Sequence, residues 1–150
     1  MATKVEDLTD SEQAWVAENV ARARDLGRKY GGDPDDSTAP SLVALDAIWS
    51  TFGAHLRQSG EDPNVLINMI GLAFGQRLVD ELGFSWGIVT DEYGTEIAVH
   101  GQPHDMVICP CNLIGKRWAN GDDQFVAQLF TAMVADILRL RHELGRMHGH

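Results

Sequence analysis

The sequence predicts a single α+β domain: three N-terminal helices, a small antiparallel sheet of about three strands, and a long C-terminal helix. Apolar residues recur at three- and four-residue spacing in four long segments, which is typical of amphipathic helices. Alternation of apolar and polar residues is confined to the stretch 83–118, which predicts the sheet. A length of 150 residues and a hydrophobic fraction of 44% fit one globular domain.

The first helix has a clear start signal. Thr9 followed by Glu12 forms the pattern of a capping box, in which each side chain accepts a hydrogen bond from the other's backbone N–H. The helix is predicted to run to Tyr30 and to end at Gly31 and Gly32. Residues 1–10 and 145–150 are predicted to be frayed.

Two further helices precede the sheet. The second is predicted from Ser41 to Gln58, with Leu45, Trp49 and Phe52 on its apolar face. The third is predicted to begin with Asp62 as N-cap and Pro63 in the first helical position, and to end near Leu82.

Gly71 and Gly75 lie one turn apart inside the third helix. Each should cost about 1 kcal/mol relative to alanine, so their presence indicates that another backbone packs closely there. A strand or the second helix is the expected neighbour. A ligand groove along this face is the alternative.

The stretch 83–118 begins with Gly83, predicted to cap the third helix. A hairpin with its turn at Asp91 to Gly94 is predicted next, followed by a third strand from Met106 to Cys109. Pro110 should end that strand or place it at an edge of the sheet.

Two helices complete the prediction. A short one is expected from Asn112 to Trp118, and a long one from Asp123 to Leu144. The long helix is expected either to lie across the sheet or to pack against the third helix.

The charge balance restricts the partners. Twelve Lys and Arg face 22 Asp and Glu, a formal net charge of −10, and this field should repel nucleic acid. No apolar run approaches the ~18 residues of a membrane span, and the acidic N-terminus lacks the features of a signal peptide, so we expect a cytoplasmic protein with no membrane partner. Cys109 and Cys111 are expected to be reduced thiols.

The central stretch contains four distinctive motifs: the G-x-x-F-G helix at Gly71 to Gly75, the strand with Trp86, the D-E-x-G turn, and the P-x-N-x-I-x-K-R segment at residues 110–117. In these motifs the chain resembles a known bacterial family, the domain of unknown function DUF3806. The resemblance covers about residues 66–130. It implies an α+β fold and no particular activity.

Charged residues beside the sheet form the candidate binding surface: Asp91, Glu92, Glu96, Lys116 and Arg117. They could meet charged groups of a partner protein. The structural alternative is that Asp91 stabilises its turn, that both glutamates are solvated, and that the two cations pair within the chain and leave Trp118 in the core.

The same stretch offers weaker chemical alternatives. His100, His104, Cys109 and Cys111 are zinc-compatible ligand types, but their spacing is not one of the common zinc patterns. A cysteine nucleophile with a histidine base, or acid–base catalysis by Asp91, Glu92 and Glu96, has no surrounding motif. No nucleotide-binding loop is present and no cofactor is predicted.

These observations favour a non-enzymatic cytoplasmic binding protein that engages a partner protein through an acidic surface. A protein of the immunity or chaperone kind would fit. The alternative is a small-molecule or zinc-binding protein that uses a pocket between the sheet and the face of Gly71 and Gly75.

Overall fold

A computed structural model of the chain describes residues 4–148, and their fold confirms the α+β prediction. Five helices accompany one four-stranded antiparallel sheet in this part of the chain. The elements in chain order are β1 (Lys4–Glu6), α1 (Asp10–Tyr30), α2 (Leu42–Ser59), α3 (Asn64–Leu82), β2 (Ser85–Asp91), β3 (Gly94–Gly101), β4 (Met106–Ile108), α4 (Pro110–Asn120) and α5 (Val126–His148).

The predicted helix signals operate at three helix ends. The Thr9 hydroxyl accepts from the Glu12 N–H at 3.2 Å, and the Glu12 carboxylate accepts from the Thr9 N–H at 2.7 Å, so the capping box is confirmed. Ser41 caps α2 through the N–H of Ala44. Gly83 ends α3 in the left-handed conformation, with φ of 71°.

The start of α3 differs by one residue from the prediction. Pro63 is the N-cap rather than the first helical residue, and α3 begins at Asn64. The Asp62 carboxylate still accepts from the Asn64 N–H at 3.0 Å. Asp62 therefore supports the helix start from one position further back than expected.

The sheet has one strand more than predicted. Its order is β1-β2-β3-β4, and β1 pairs antiparallel with β2, with Val5 opposite Val89. Residues 4–6 were predicted to be frayed, and this expectation is wrong. A three-residue strand is too short to show a period, and partners in β2 supply its stability. At the other end, α5 continues through residues 145–148, also predicted to be frayed; residues 1–3, 149 and 150 lie outside the described part.

Pro110 follows the end of β4, an edge strand as predicted, and has a second role that was not predicted. It opens α4 as an early helical residue, where its missing N–H and fixed φ are favourable. The strand before it ends at Ile108, and α4 runs from Pro110 to Asn120, longer at both ends than the predicted 112–118. The chain therefore passes from the edge strand β4 into α4 with only Cys109 between them.

The core is built around α3, which is buried along most of its length. Phe74 has no exposed surface and meets Phe130 of α5 edge to face, with ring centroids 5.2 Å apart. Helices α1, α2, α4 and α5 all contact α3. Of the two placements expected for the last helix, packing against the third helix is the one observed. No helix within residues 4–148 is both long and apolar enough to cross a membrane.

Candidate functional site

The hairpin between β2 and β3 presents an aromatic side chain between carboxylates. Asp91 and Gly94 pair across the last rung, which leaves Glu92 and Tyr93 as the turn. The Asp91 carboxylate accepts from the Tyr93 N–H at 2.8 Å and so fixes the turn. Tyr93 is 89% exposed, the most exposed of the large apolar side chains in the described chain.

A groove of about 280 Å³ lies beside this hairpin. Its walls come from β2, β3 and the start of α4, and Cys109 and Asn112 close the side away from the turn. The Asn112 amide donates a long hydrogen bond, 3.4 Å, to the Glu96 carboxylate. The residues that line the groove are Val89, Asp91, Tyr93, Gly94, Thr95, Glu96, Cys109 and Asn112. We call Asp91, Glu92, Tyr93 and Glu96 the acidic hairpin.

Both thiols next to the groove are held in the protonated form. Partial burial raises the pKa of Cys109 to about 12, and the neighbouring carboxylates of Glu96 and Asp91 add to the effect. Burial raises the pKa of Cys111 to about 11, with a further contribution from Glu96. Because the thiolate is the nucleophile, neither cysteine is activated at neutral pH.

This protonation predicts slow alkylation. At pH 7.5 we expect iodoacetamide to modify both cysteines more than about tenfold slower in the folded protein than in the same chain unfolded in urea. Mass spectrometry of quenched samples measures both rates. The folded-state rates should still be rising at pH 10; a plateau near pH 9 would contradict the raised pKa values.

The same pKa shifts fix the sign of a stability effect. The folded pKa values exceed the ordinary value of 9.0, so the folded protein holds these protons more tightly than the unfolded chain does. This contribution to stability is complete below about pH 9 and is lost as the pH rises through the folded pKa values, about 11 for Cys111 and about 12 for Cys109.

The two cations of the predicted surface are placed apart from each other. Lys116 is exposed on α4, one turn beyond Asn112 on the same face, so it borders the groove side of the helix. Arg117 instead pairs with Asp122 at 3.2 Å, and its guanidinium lies 5.6 Å from the Phe125 ring. Arg117 therefore pairs within the chain, as the structural alternative predicts.

Trp118 packs against the core, as the structural alternative predicts. Its ring meets Trp49 edge to face at 5.7 Å, and the Arg57 guanidinium lies 3.8 Å from its ring centroid. Of the five predicted residues, the structure brings together Asp91, Glu92 and Glu96, with Lys116 at the margin.

The four zinc-compatible residues do not converge. Cys111 faces Gly71 on α3, whereas Cys109 faces Glu96. His100 lies in β3 opposite Val107, and His104 is exposed in the following turn. Among residues 4–148, no group of three or more His, Cys, Asp or Glu side chains is placed to hold a metal ion.

The pocket that the sequence placed at the face of Gly71 and Gly75 is closed by protein. A Cβ on Gly71 would lie 2.8 Å from Cys111 Cα, and one on Gly75 would lie 2.6 Å from the Trp86 ring. The close packing predicted from these glycines is therefore present, but its partners are α4 and the Trp86 side chain. A cavity of about 430 Å³ lies beside Gln76, the residue after Gly75, where Gln76 and Trp86 meet α1.

Sequence reasoning missed Tyr93 and this cavity. A large aromatic at the centre of a two-residue turn is unusual, because such turns favour Gly, Asn and Asp, and that departure was a usable signal for Tyr93. The cavity gave no signal, since its walls come from three segments far apart in the chain.

The fold and the hairpin define a small α+β domain with an acidic, aromatic surface beside a four-stranded sheet. The chain belongs to the DUF3806 family, a domain of unknown function, whose model matches residues 45–130. The match includes the predicted range 66–130 and extends into α2. The acidic hairpin and α4 lie inside it.

One solved structure shares the fold. It is a crystal structure from Bacteroides thetaiotaomicron VPI-5482, with a TM-score of 0.62 and 12% sequence identity over 89% of this chain. The present chain covers 48% of that chain, about half its length. At this identity the likeness concerns the fold alone. A comparison with curated proteins found no match.

Proposed function

We propose that this domain is a non-enzymatic binding module whose acidic hairpin engages a basic segment of a partner protein. The observation that carries the proposal is the exposure of Tyr93, 89%, in a turn where it follows Asp91 and Glu92. Exposed tyrosines supply much of the binding energy of protein interfaces. An exposed ring on the same hairpin as three carboxylates suits an arginine or lysine, which can pair with the acids and stack on the ring.

The charge of the whole chain supports the same partner. A net charge of −10 attracts basic segments and accelerates their association. The groove beside the hairpin could take one long basic side chain, with Glu96 and Asp91 as acceptors. The protonated thiols argue against cysteine catalysis there. Cytoplasmic location, and a role of the immunity or chaperone kind, are part of this proposal.

The test uses a short fluorescein-labelled peptide of arginine, glycine and serine, with a matched series in which lysine, the neutral isostere citrulline, or glutamate replaces arginine. We expect the arginine peptide to bind best and the glutamate peptide not to bind, measured by fluorescence anisotropy at physiological ionic strength. The variant D91N/E92Q/E96Q should weaken binding about tenfold, since three partly exposed pairs of up to ~1 kcal/mol each are lost. Tyr93→Ala should weaken it at least as much.

A matched control separates this site from general electrostatics. The variant D35N/D36N/E61Q removes three exposed carboxylates in other loops and changes the net charge by the same amount. It should leave the affinity nearly unchanged. Equal weakening by the two triple variants, or unchanged binding in Tyr93→Ala, would refute the acidic hairpin as the binding site.

A further inference from the structure

The cavity beside Trp86 has the size of a small-molecule site. Its volume is about 430 Å³, within the range of roughly 300–1,000 Å³ that ligand pockets occupy. The linker between β1 and α1, the first turns of α1, Gln76 of α3 and Trp86 of β2 line it, and it is open to solvent on the side of the exposed residues Asp7, Gln13 and Ala17. The residues that line it are Asp7, Leu8, Gln13, Val16, Ala17, Gln76 and Trp86. We call it the Trp86 cavity; it shares none of these residues with the acidic hairpin.

The apolar wall of the Trp86 cavity is fixed in place. The Trp86 ring packs on Gly75, and its indole N–H donates to the Gln76 carbonyl oxygen at 3.0 Å. The Gln76 amide group in turn donates to the Asp80 carboxylate at 3.0 Å. This chain of hydrogen bonds holds the indole in one orientation. A ligand therefore meets a preorganised aromatic surface and loses little free energy in ordering it.

The polar groups of the cavity are acceptors. Asp7 contributes a carboxylate that makes no hydrogen bond or ion pair with the residues described. The Gln13 amide N–H donates to the Leu8 carbonyl oxygen at 3.3 Å, which leaves the Gln13 carbonyl oxygen free to accept. No Lys, Arg or His lines the cavity within residues 4–148. An anionic ligand would be repelled by the Asp7 charge and the negative field of the chain.

From this combination we propose that the Trp86 cavity binds a small organic ammonium ion with an apolar body. The ammonium group donates to the Asp7 carboxylate and the Gln13 carbonyl oxygen. The apolar body lies against Leu8, Val16 and the Trp86 ring, whose face also attracts the cation. The site is independent of the hairpin, so its ligand and the partner protein bind separately.

The experiment titrates the protein with phenethylammonium, cyclohexylammonium and 1,5-diaminopentane, and with 2-phenylethanol and 3-phenylpropionate as uncharged and anionic counterparts. Isothermal calorimetry gives the affinities, and ¹H–¹⁵N spectra give the location through the Trp86 indole N–H, assigned with Trp86→Phe. We expect at least one ammonium compound to bind and to shift this signal. The alcohol should bind roughly fivefold more weakly than phenethylammonium, and the carboxylate more weakly still.

Two variants change the charge of the cavity in opposite directions. Asp7→Asn should weaken ammonium binding roughly fivefold, and Gln13→Glu should strengthen it by a similar factor, because a second carboxylate is added at an exposed position. Glu18→Gln removes a carboxylate from α1 outside the cavity and should change nothing. The proposal is overturned if no ammonium compound binds, if the Trp86 signal does not shift, or if Asp7→Asn and Glu18→Gln act equally.

Discussion

Replacing Gly71 by alanine is expected to lower the free energy of unfolding by about 2 kcal/mol. The added Cβ would lie 2.8 Å from Cys111 Cα and 3.0 Å from Cys111 N, both backbone atoms of α4. Backbone cannot rotate away as a side chain can, so α4 must shift off α3 and lose packing. Overpacking of this kind typically costs about 1–3 kcal/mol, and it outweighs the gain of roughly 1 kcal/mol that alanine brings to a helix interior.

Two other helical glycines provide controls for this measurement. A Cβ on Gly145 of α5 would meet nothing within 4 Å, and one on Gly115 of α4 would meet only Ile67 Cγ2 at 3.8 Å. Alanine at Gly145 should therefore stabilise the protein by up to about 1 kcal/mol, and at Gly115 it should be neutral or stabilising. Urea unfolding followed by circular dichroism measures all three variants. Stabilisation by Gly71→Ala would show that α3 and α4 are not in close contact.

The glycines also show how far sequence reasoning reaches. Two glycines inside a helix lower its stability, so close packing at Gly71 and Gly75 could be predicted from their positions in the sequence alone. A strand was one of the expected neighbours, and Trp86 of β2 packs on Gly75. The neighbour of Gly71 could not be predicted, because α4 reaches α3 only through the path of the chain after β4. That path depends on Pro110 opening a helix directly after the edge strand β4, two residues before the predicted start at Asn112.

The acidic hairpin was predictable because its signals are local. A D-E-Y-G turn between alternating strands determines which residues lie at the tip, and Asp91 and Glu96 line the same groove beside it. The Trp86 cavity was not predictable, because Asp7 reaches it only after β1 has paired with β2. A three-residue strand has no recognisable period, so nothing local placed Asp7 near Trp86.

The start of α5 was mispredicted for a related reason. Asp123 has the residue type of an N-cap, yet the helix begins at Val126, and Gln124 has a φ of 48°, outside the helical region. The acceptor that caps α5 comes from α2. Both oxygens of Asp46 accept backbone N–H groups there, from Val126 at 2.8 Å and from Ala127 at 3.0 Å. A cap 80 positions away in sequence leaves no local signal.

Replacing Asp46 by alanine is therefore expected to lower the free energy of unfolding by about 3 kcal/mol. The two lost hydrogen bonds are made to a charged, partly buried acceptor, and such bonds are worth roughly 1.5–3 kcal/mol each before the exposed N–H groups bind water. The carboxylate also opposes the positive end of the α5 dipole. Because α5 supplies Phe130 and Ile137 to the core, weakening its first turn weakens the whole domain.

Asp46→Asn separates the contributions of hydrogen bonding and charge. Asparagine keeps one acceptor oxygen and removes the charge, so it should cost less than alanine, about 1–2 kcal/mol. Asp35→Ala removes an exposed carboxylate from the loop after α1 and should change stability by less than about 0.5 kcal/mol. Thermal and urea unfolding of the three variants give the comparison. If Asp46→Ala lowered the free energy of unfolding no more than Asp35→Ala, the hydrogen bonds to Asp46 of α2 would contribute nothing to stability. The start of α5 would then have to be stabilised by its own sequence.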